Sequence, residues 1–180
     1  MKKQMLVLSI VILMLVTLIS GCTENDTNDN TGSSTPKTYT WTAKEFQNDL
    51  DWDTDWVTYI KMDYNTLEEG DTLIIQDTIS EVSYDLTSDR TTITFAWVEG
   101  TGNLSLNLPF EGDLSGTYQT GDEVKITGTM KHVEFTYTNE TLGLSMDYEV
   151  ELFEEQWTTQ EEFITLGGGS LPATSIEKVE

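Results

Sequence analysis

Apolar and polar side chains alternate along most of the chain beyond its first third. The alternation is unbroken over residues 92–97 and residues 104–110. Successive side chains of a β-strand point to opposite faces of the sheet, so a period of two predicts strands with one buried face. Further apolar-rich runs over 72–84, 124–137 and 144–152 bring the predicted strands to five.

The two longest runs change the parity of their apolar positions partway along. In the fourth strand the apolar positions are even from 124 to 130 and odd from 133 to 137. One face of a strand keeps its parity unless an extra residue is inserted. We therefore expect a β-bulge between Gly128 and His132, with His132 exposed or hydrogen-bonded. The first strand, 72–84, shows the same change.

Two short helices flank the predicted strands. Thr42 and Glu45 have the spacing of a capping box, which predicts a helix from Ala43 to about Leu50. An imperfect alternation over 57–64 predicts a short strand after it. A second helix is predicted over 158–166.

Two Gly-Asp pairs, at residues 70–71 and 121–122, open the first and fourth strands. The sequence GDEVKITG at residues 121–128 resembles the fourth-strand pattern of the OB-fold, and LEEGDTLII at 67–75 resembles its first strand. The resemblance implies an all-β protein, a five-stranded Greek-key barrel whose long strands bend at its corners. Residues 111–120 are Gly-rich where many OB-folds have a helix, so an immunoglobulin-like sandwich stays open as the alternative.

The start of the chain has the pattern of an export signal. Two lysines precede a run, residues 5–19, that is apolar apart from two hydroxyl side chains and is short for a bilayer-spanning helix. The sequence LISGC at residues 18–22 resembles a lipobox. The resemblance implies cleavage before Cys22, a lipid on Cys22 and a place at the extracytoplasmic face of a cell membrane. An ordinary signal peptide or a single membrane anchor is the alternative.

These patterns divide the chain into four segments. Residues 23–37 have no large apolar side chain, and such a run is typical of a flexible tether. We expect a signal peptide at 1–21, a tether at 22–37, a folded domain at 38–166 and a loose tail at 167–180.

Charge and rare residues exclude several classes of function. Acidic residues number 32 against 9 basic ones, for a net charge of −23, which argues against nucleic acid as a partner. One Cys excludes an internal disulfide, and one His excludes a multi-His zinc site. Glycosylation sequons begin at Asn25, Asn103 and Asn139 and matter only where the host glycosylates exported proteins.

Four aspartates alternate from the end of the first predicted helix onward. Asp49, Asp51, Asp53 and Asp55 are candidate ligands of Ca²⁺, which prefers oxygen. An EF-hand is excluded because the sixth position counted from Asp51 is Trp instead of Gly. Two interpretations stay open, a different calcium site and a connector with solvated acids.

The OB-fold resemblance also implies a binding face on the second and third strands. On this chain that face comprises Arg90, Thr92, Thr94, Ser105 and Asn107. It lacks the basic groove with stacking rings that single-stranded nucleic acids need.

No nucleophile motif, phosphate loop or distinctive pair of carboxylates points to catalysis. We therefore expect a non-enzymatic, monomeric, lipid-anchored module at the cell surface that binds a protein or another extracellular ligand, without a cofactor. The alternatives are a structural or adhesion domain stabilised by a divalent cation such as Ca²⁺, and a hydrolase of envelope glycans.

Overall fold

The computed structural model describes residues 35–55, 58–139, 143–166 and 168–179. Residues 36–180 belong to one compact unit. Within the described residues the fold is mostly strand, and no helix there has the length and apolar composition needed to cross a membrane. The prediction of an all-β protein with short helices is confirmed.

The described part of the chain contains ten strands and two α-helices. The helices are α1, Ala43–Asp49, and α2, Gln160–Leu166. The strands are β1, Thr38–Trp41; β2, Leu50–Thr54; β3, Tyr59–Tyr64; β4, Thr72–Thr78; β5, Glu81–Asp85; β6, Arg90–Glu99; β7, Gly102–Glu111; β8, Glu123–Asn139; β9, Leu144–Phe153; and β10, Ile176–Lys178.

These strands form two sheets. A curled seven-stranded sheet has the order β1-β4-β8-β9-β3-β2, with β10 paired to β8, and a three-stranded sheet has the order β5-β6-β7. The prediction of five strands is not confirmed. The predicted first strand is divided between the two sheets, and β1, β2 and β10 are short pairings whose sequences lack a clear alternation.

The division of the first strand lies at Ile79 and Ser80. The Ile79 N–H donates to the Asp122 carbonyl 2.9 Å away, while the Ser80 N–H donates to the Thr94 carbonyl at 2.8 Å. The chain thus leaves β8 and joins β6 within two residues. The change of apolar parity reflects this crossing between sheets, because each half buries side chains against a different neighbour.

The bulge expected in β8 is absent, since β8 is continuous over its 17 described residues. Its pairing keeps one register with β4, from Glu123 to Thr129, and one register with β9, from Met130 to Asn139. The two halves of β8 bury opposite faces. Even positions up to Met130 enter the main core, whereas beyond it Phe135 is buried on the other face.

A second, aromatic cluster covers that other face. The rings of Phe135 and Tyr148 stack with centroids 4.8 Å apart, and Phe163 of α2 meets both edge-on. The ring centroid of Trp157 lies 5.6 Å from that of Phe135 and 5.9 Å from that of Phe163. Because this cluster covers the odd-numbered face of β8 beyond Met130, the apolar positions change parity without an inserted residue.

Both Gly-Asp pairs close the same kind of turn, at residues 68–71 and 119–122. The glycine in each third position has a φ near +90°, which β-turns of type II require there. The aspartate N–H donates to the carbonyl of the first residue, and its carboxylate accepts the first residue's N–H at 3.0 and 2.9 Å. The Gly-Asp motif therefore has a local structural role in starting β4 and β8.

Local hydrogen bonds near the start of the described domain, and burial and pairing near its end, give both regions a defined structure. The capping box is confirmed, with the Glu45 N–H donating to Thr42 Oγ1 at 3.2 Å and the Thr42 N–H donating to Glu45 Oε2 at 2.7 Å. Residues 168–179 differ from the predicted loose tail, because Leu171 is fully buried beside β7 and β10 pairs with β8.

We predict that Gly128→Ala lowers the free energy of unfolding by about 1–3 kcal/mol through overpacking. A Cβ at this position would lie 2.3 Å from Cδ1 of the buried Phe153 ring. Urea denaturation followed by tryptophan fluorescence measures the change.

The matched control is Gly116→Ala, where a Cβ meets no atom within 4 Å. This variant should unfold within about 0.5 kcal/mol of the wild type. Adding Phe153→Leu to Gly128→Ala should cost less than the sum of the two single changes. Equal stability of the two alanine variants would show that Phe153 does not cover Gly128.

Candidate functional site

The expected binding face is assembled on the three-stranded sheet. Thr92 and Thr94 of β6 share this face with Ser105 and Asn107 of β7, and the intervening residue of β6 is buried. Thr94 pairs with Asn107 in the register, and Thr94 Oγ1 donates to Asn107 Oδ1 at 2.8 Å. The outer face of β6 and β7 thus presents hydroxyl and amide groups.

Arg90 lies on the same face, at the start of β6. It is the only arginine of the chain, and it forms no ion pair with any carboxylate of the described residues. It lines a cleft of about 450 Å³ together with Asp89, Glu111, Glu155, Thr158 and Ser170. The cleft therefore combines one guanidinium with three carboxylates at the end of the binding face.

Ser170 lines this cleft, and the buried hydroxyl of Thr91 is bonded to Gly112, which also lines it. Thr91 Oγ1 donates to the Gly112 carbonyl at 2.7 Å and accepts the Leu114 N–H at 2.9 Å, which fixes the loop after β7. Ser170 Oγ is inaccessible to solvent and has no hydrogen-bond partner among the described residues.

The loop between β5 and β6 is stabilised by exposed carboxylates. Asp85 accepts the Thr87 N–H at 2.8 Å and the Ser88 hydroxyl at 3.0 Å, and the backbone bond and then the hydroxyl bond lower the pKa of Asp85. The Tyr84 hydroxyl donates to Asp89 at 2.8 Å, and this bond raises the pKa of Tyr84. These contacts fix the backbone that leads into Arg90.

The four alternating aspartates do not converge on one point. Asp49 ends α1 and accepts the Thr66 hydroxyl at 2.7 Å, while Asp53 in β2 accepts the Tyr59 hydroxyl at 2.9 Å. Asp51 accepts the N–H of the following residue, and Asp55 accepts the Thr58 N–H. Among the described residues these carboxylates form no group of three close enough to share a cation.

A different cluster of metal-ligating groups lies on β8 and β9, which sequence reasoning missed. One ligand atom each of His132, Glu134 and Glu149 lies within 4.8 Å of the other two. His132 is hydrogen-bonded, as expected, with Nε2 3.1 Å from Glu134 Oε1. The alternation of both strands suggests two polar faces, but only the register places Glu134 opposite Glu149.

The remaining predicted positions have little structural context. Cys22 and Asn25 lie outside the described residues. Asn103 is exposed near the start of β7, and Asn139 is the last residue of β8.

A scan against protein-family models and a search of curated protein sequences find no match to this chain.

We predict opposite outcomes for removing the two buried hydroxyls. Thr91→Val should lower the free energy of unfolding by about 1–3 kcal/mol, because the Gly112 carbonyl and the Leu114 N–H lose their partner. Ser170→Ala should leave it unchanged or raise it, because a buried hydroxyl without a partner is removed. Thermal and urea unfolding compare the two variants, and a similar loss in both would show that Ser170 Oγ has a partner in solution.

Proposed function

We propose that this protein is a non-enzymatic, lipid-anchored binding module of OB-like architecture, held at the extracytoplasmic face of a membrane. The partners of the consecutive strands β4 and β5 support the OB-like architecture. This bent segment pairs with β8 through its first half and with β6 through its second half. A strand that bends from one sheet to another forms a corner of a small barrel.

One observation supports the binding role above the others, namely the row of hydroxyl and amide side chains of Thr92, Thr94, Ser105 and Asn107 on a chain with a net charge of −23. The carboxylate of Glu81, opposite Thr94 in the register, borders this row on β5. Burying hydroxyl and amide groups against a partner that restores their hydrogen bonds costs far less than burying unpaired carboxylates. The face is thus suited to a protein or another extracellular ligand that presents uncharged hydrogen-bonding groups.

Arg90 extends this proposal to the end of the face. Its guanidinium offers several N–H donors and has no carboxylate partner in the described part of the chain. Asp89 and Glu111 beside it oppose a strongly anionic ligand. We propose that Arg90 donates hydrogen bonds to a neutral group of the partner and sets its orientation.

The absence of catalysis is part of the proposal. The single histidine of the chain faces Glu134 and Glu151, an arrangement that contains no nucleophile. The cleft at the end of β6 combines its carboxylates with the guanidinium of Arg90. A binding role does not require these histidine, arginine and carboxylate groups to react with a ligand.

The proposed partner is tested by photo-crosslinking on intact cells. A benzophenone side chain at Ser105 should give a covalent adduct, whereas the same group at Thr127, an exposed residue of β8, should give none. Ala96→Glu, which places a charge on the face, should reduce the Ser105 adduct several-fold. Digestion of the adduct with protease or glycosidase identifies its class.

Adducts of equal yield from Ser105 and Thr127 would contradict the proposed face. So would a Ser105 adduct that Ala96→Glu leaves unchanged, because Ala96 lies directly opposite Ser105 in the register.

The proposed anchor is tested at Cys22, the only cysteine of the chain. Cys22→Ser should release the protein from the membrane fraction, because the serine hydroxyl replaces the thiol to which the lipid is attached. Thr23→Ser is the matched control and should remain with the membranes. Sedimentation of the processed Cys22→Ser protein with the membranes would contradict lipid anchoring.

A further inference from the structure

Polar side chains of β8 and β9 beyond the main core share one face of the curled sheet. His132 lies opposite Glu151 in the register, and Glu134 lies opposite Glu149. The next pair continues this face, with Thr136 Oγ1 donating to an Asp147 carboxylate oxygen at 2.7 Å.

This face brings together more negative charge than its own residues neutralise. Like charges directly opposite each other destabilise a pair of strands, and Glu134 and Glu149 are such a pair. Among the described residues the ammonium that contacts this face is shared, because Lys61 Nζ lies 2.9 Å from Glu149 Oε1 and 3.2 Å from Asp63 Oδ2. A further cation would relieve the opposition of the two glutamates.

A carboxylate lies on the far side of the His132 imidazole. Nδ1 lies 3.8 Å from Glu151 Oε1, which is beyond hydrogen-bond distance, and the other oxygen of Glu151 accepts the Tyr64 N–H at 2.8 Å. A carboxylate near the second ring nitrogen is a common neighbour of a metal-bound histidine. Nε2 is 3.1 Å from Glu134 Oε1, so a cation would take the place of the proton between these two atoms.

We propose that Nε2 of His132 and carboxylate oxygens of Glu134 and Glu149 bind a divalent transition-metal cation, with Zn²⁺ as the best fit. Imidazole nitrogen and carboxylate oxygen are both ligands of Zn²⁺, whereas Ca²⁺ and Mg²⁺ prefer oxygen alone. The cluster thus contains a nitrogen donor and two oxygen donors, with the Glu151 carboxylate on the far side of the imidazole.

The geometry needs only a small adjustment. Three ligand atoms of a tetrahedral Zn²⁺ are about 3.3 Å apart, as bond lengths near 2.0–2.1 Å dictate. The ligand atoms here lie within 4.8 Å of each other. Glu134 Oε1 is already 3.1 Å from Nε2, and the Glu149 side chain is partly exposed, so it can rotate toward them. One oxygen of Glu149 stays with Lys61 while the other is available to the metal.

This site is independent of the proposed binding face. It lies on β8 and β9, whereas the face of Thr92, Thr94, Ser105 and Asn107 lies on β6 and β7. Binding of a cation would join two adjacent strands through their side chains and would stabilise the folded state by mass action.

The test is calorimetric titration of the full chain in mild detergent with ZnCl₂, at fixed ionic strength. A Cys22→Ser background removes the only thiol that could bind zinc. We expect one site per chain. His132→Gln, Glu134→Gln and Glu149→Gln should each weaken binding at least tenfold.

The matched control is Asp53→Asn, which removes one negative charge from β2 without touching a proposed ligand. It should bind zinc as the parent does. Ca²⁺ and Mg²⁺ at the same concentration should raise the melting temperature less than Zn²⁺ does. X-ray absorption of the zinc-loaded chain should show one imidazole nitrogen among oxygen ligands.

Undiminished binding by His132→Gln would overturn the proposal, as would equal losses in Asp53→Asn and Glu134→Gln. Equal stabilisation by Mg²⁺ would show general charge neutralisation instead of a site. Ala96→Glu, which tests the binding face, should leave the zinc titration unchanged, so the two proposals fail separately.

Discussion

The structure depends on one continuous strand, β8, whose two halves bury opposite faces. Its first half pairs with β4 and β10 and contributes Val124, Ile126 and Met130 to the main core. Its second half pairs with β9 and buries Phe135 beneath α2. An unbroken register keeps all even positions on one face, so the face that is apolar up to Met130 must become solvent-facing beyond it. Gly128 allows the Phe153 ring to cover the strand just before this change.

That change of environment accounts for the metal-ligating cluster. Because Phe135 and Tyr148 pack against Phe163 of α2, alternation directs the residues between them along each strand to the outer face. Those residues are His132, Glu134 and the glutamates of β9. The chain could have placed threonine there, as it does on β6, without disturbing the aromatic cluster. Opposed glutamates next to a histidine are therefore a feature that packing alone does not require.

Sequence alone predicts the features that depend on local periodicity. The alternating segments that form β6, β7, β8 and β9, the capping box at Thr42 and the common face of Thr92, Thr94, Ser105 and Asn107 need only side-chain spacing, and the structure contains each of them. Pairing partners and register are not local. The division of the first strand, the continuity of β8 and the approach of Glu149 to His132 depend on which strand lies beside which, and no spacing within one segment specifies that.

The two proposed surfaces differ in charge, so each would bind its ligand through a different kind of interaction. On β6 and β7 the proposed partner would meet hydroxyl and amide groups, whose hydrogen bonds are short-ranged and change little with salt. On β8 and β9 the proposed cation would meet opposed carboxylates, and a net charge of −23 adds a long-range attraction that salt screens. Under these proposals a single acidic chain would bind cations on one surface and a neutral partner on another, where Glu81 lies at the border of the hydroxyl and amide groups. The strand register, more than the composition, is what keeps the two surfaces apart.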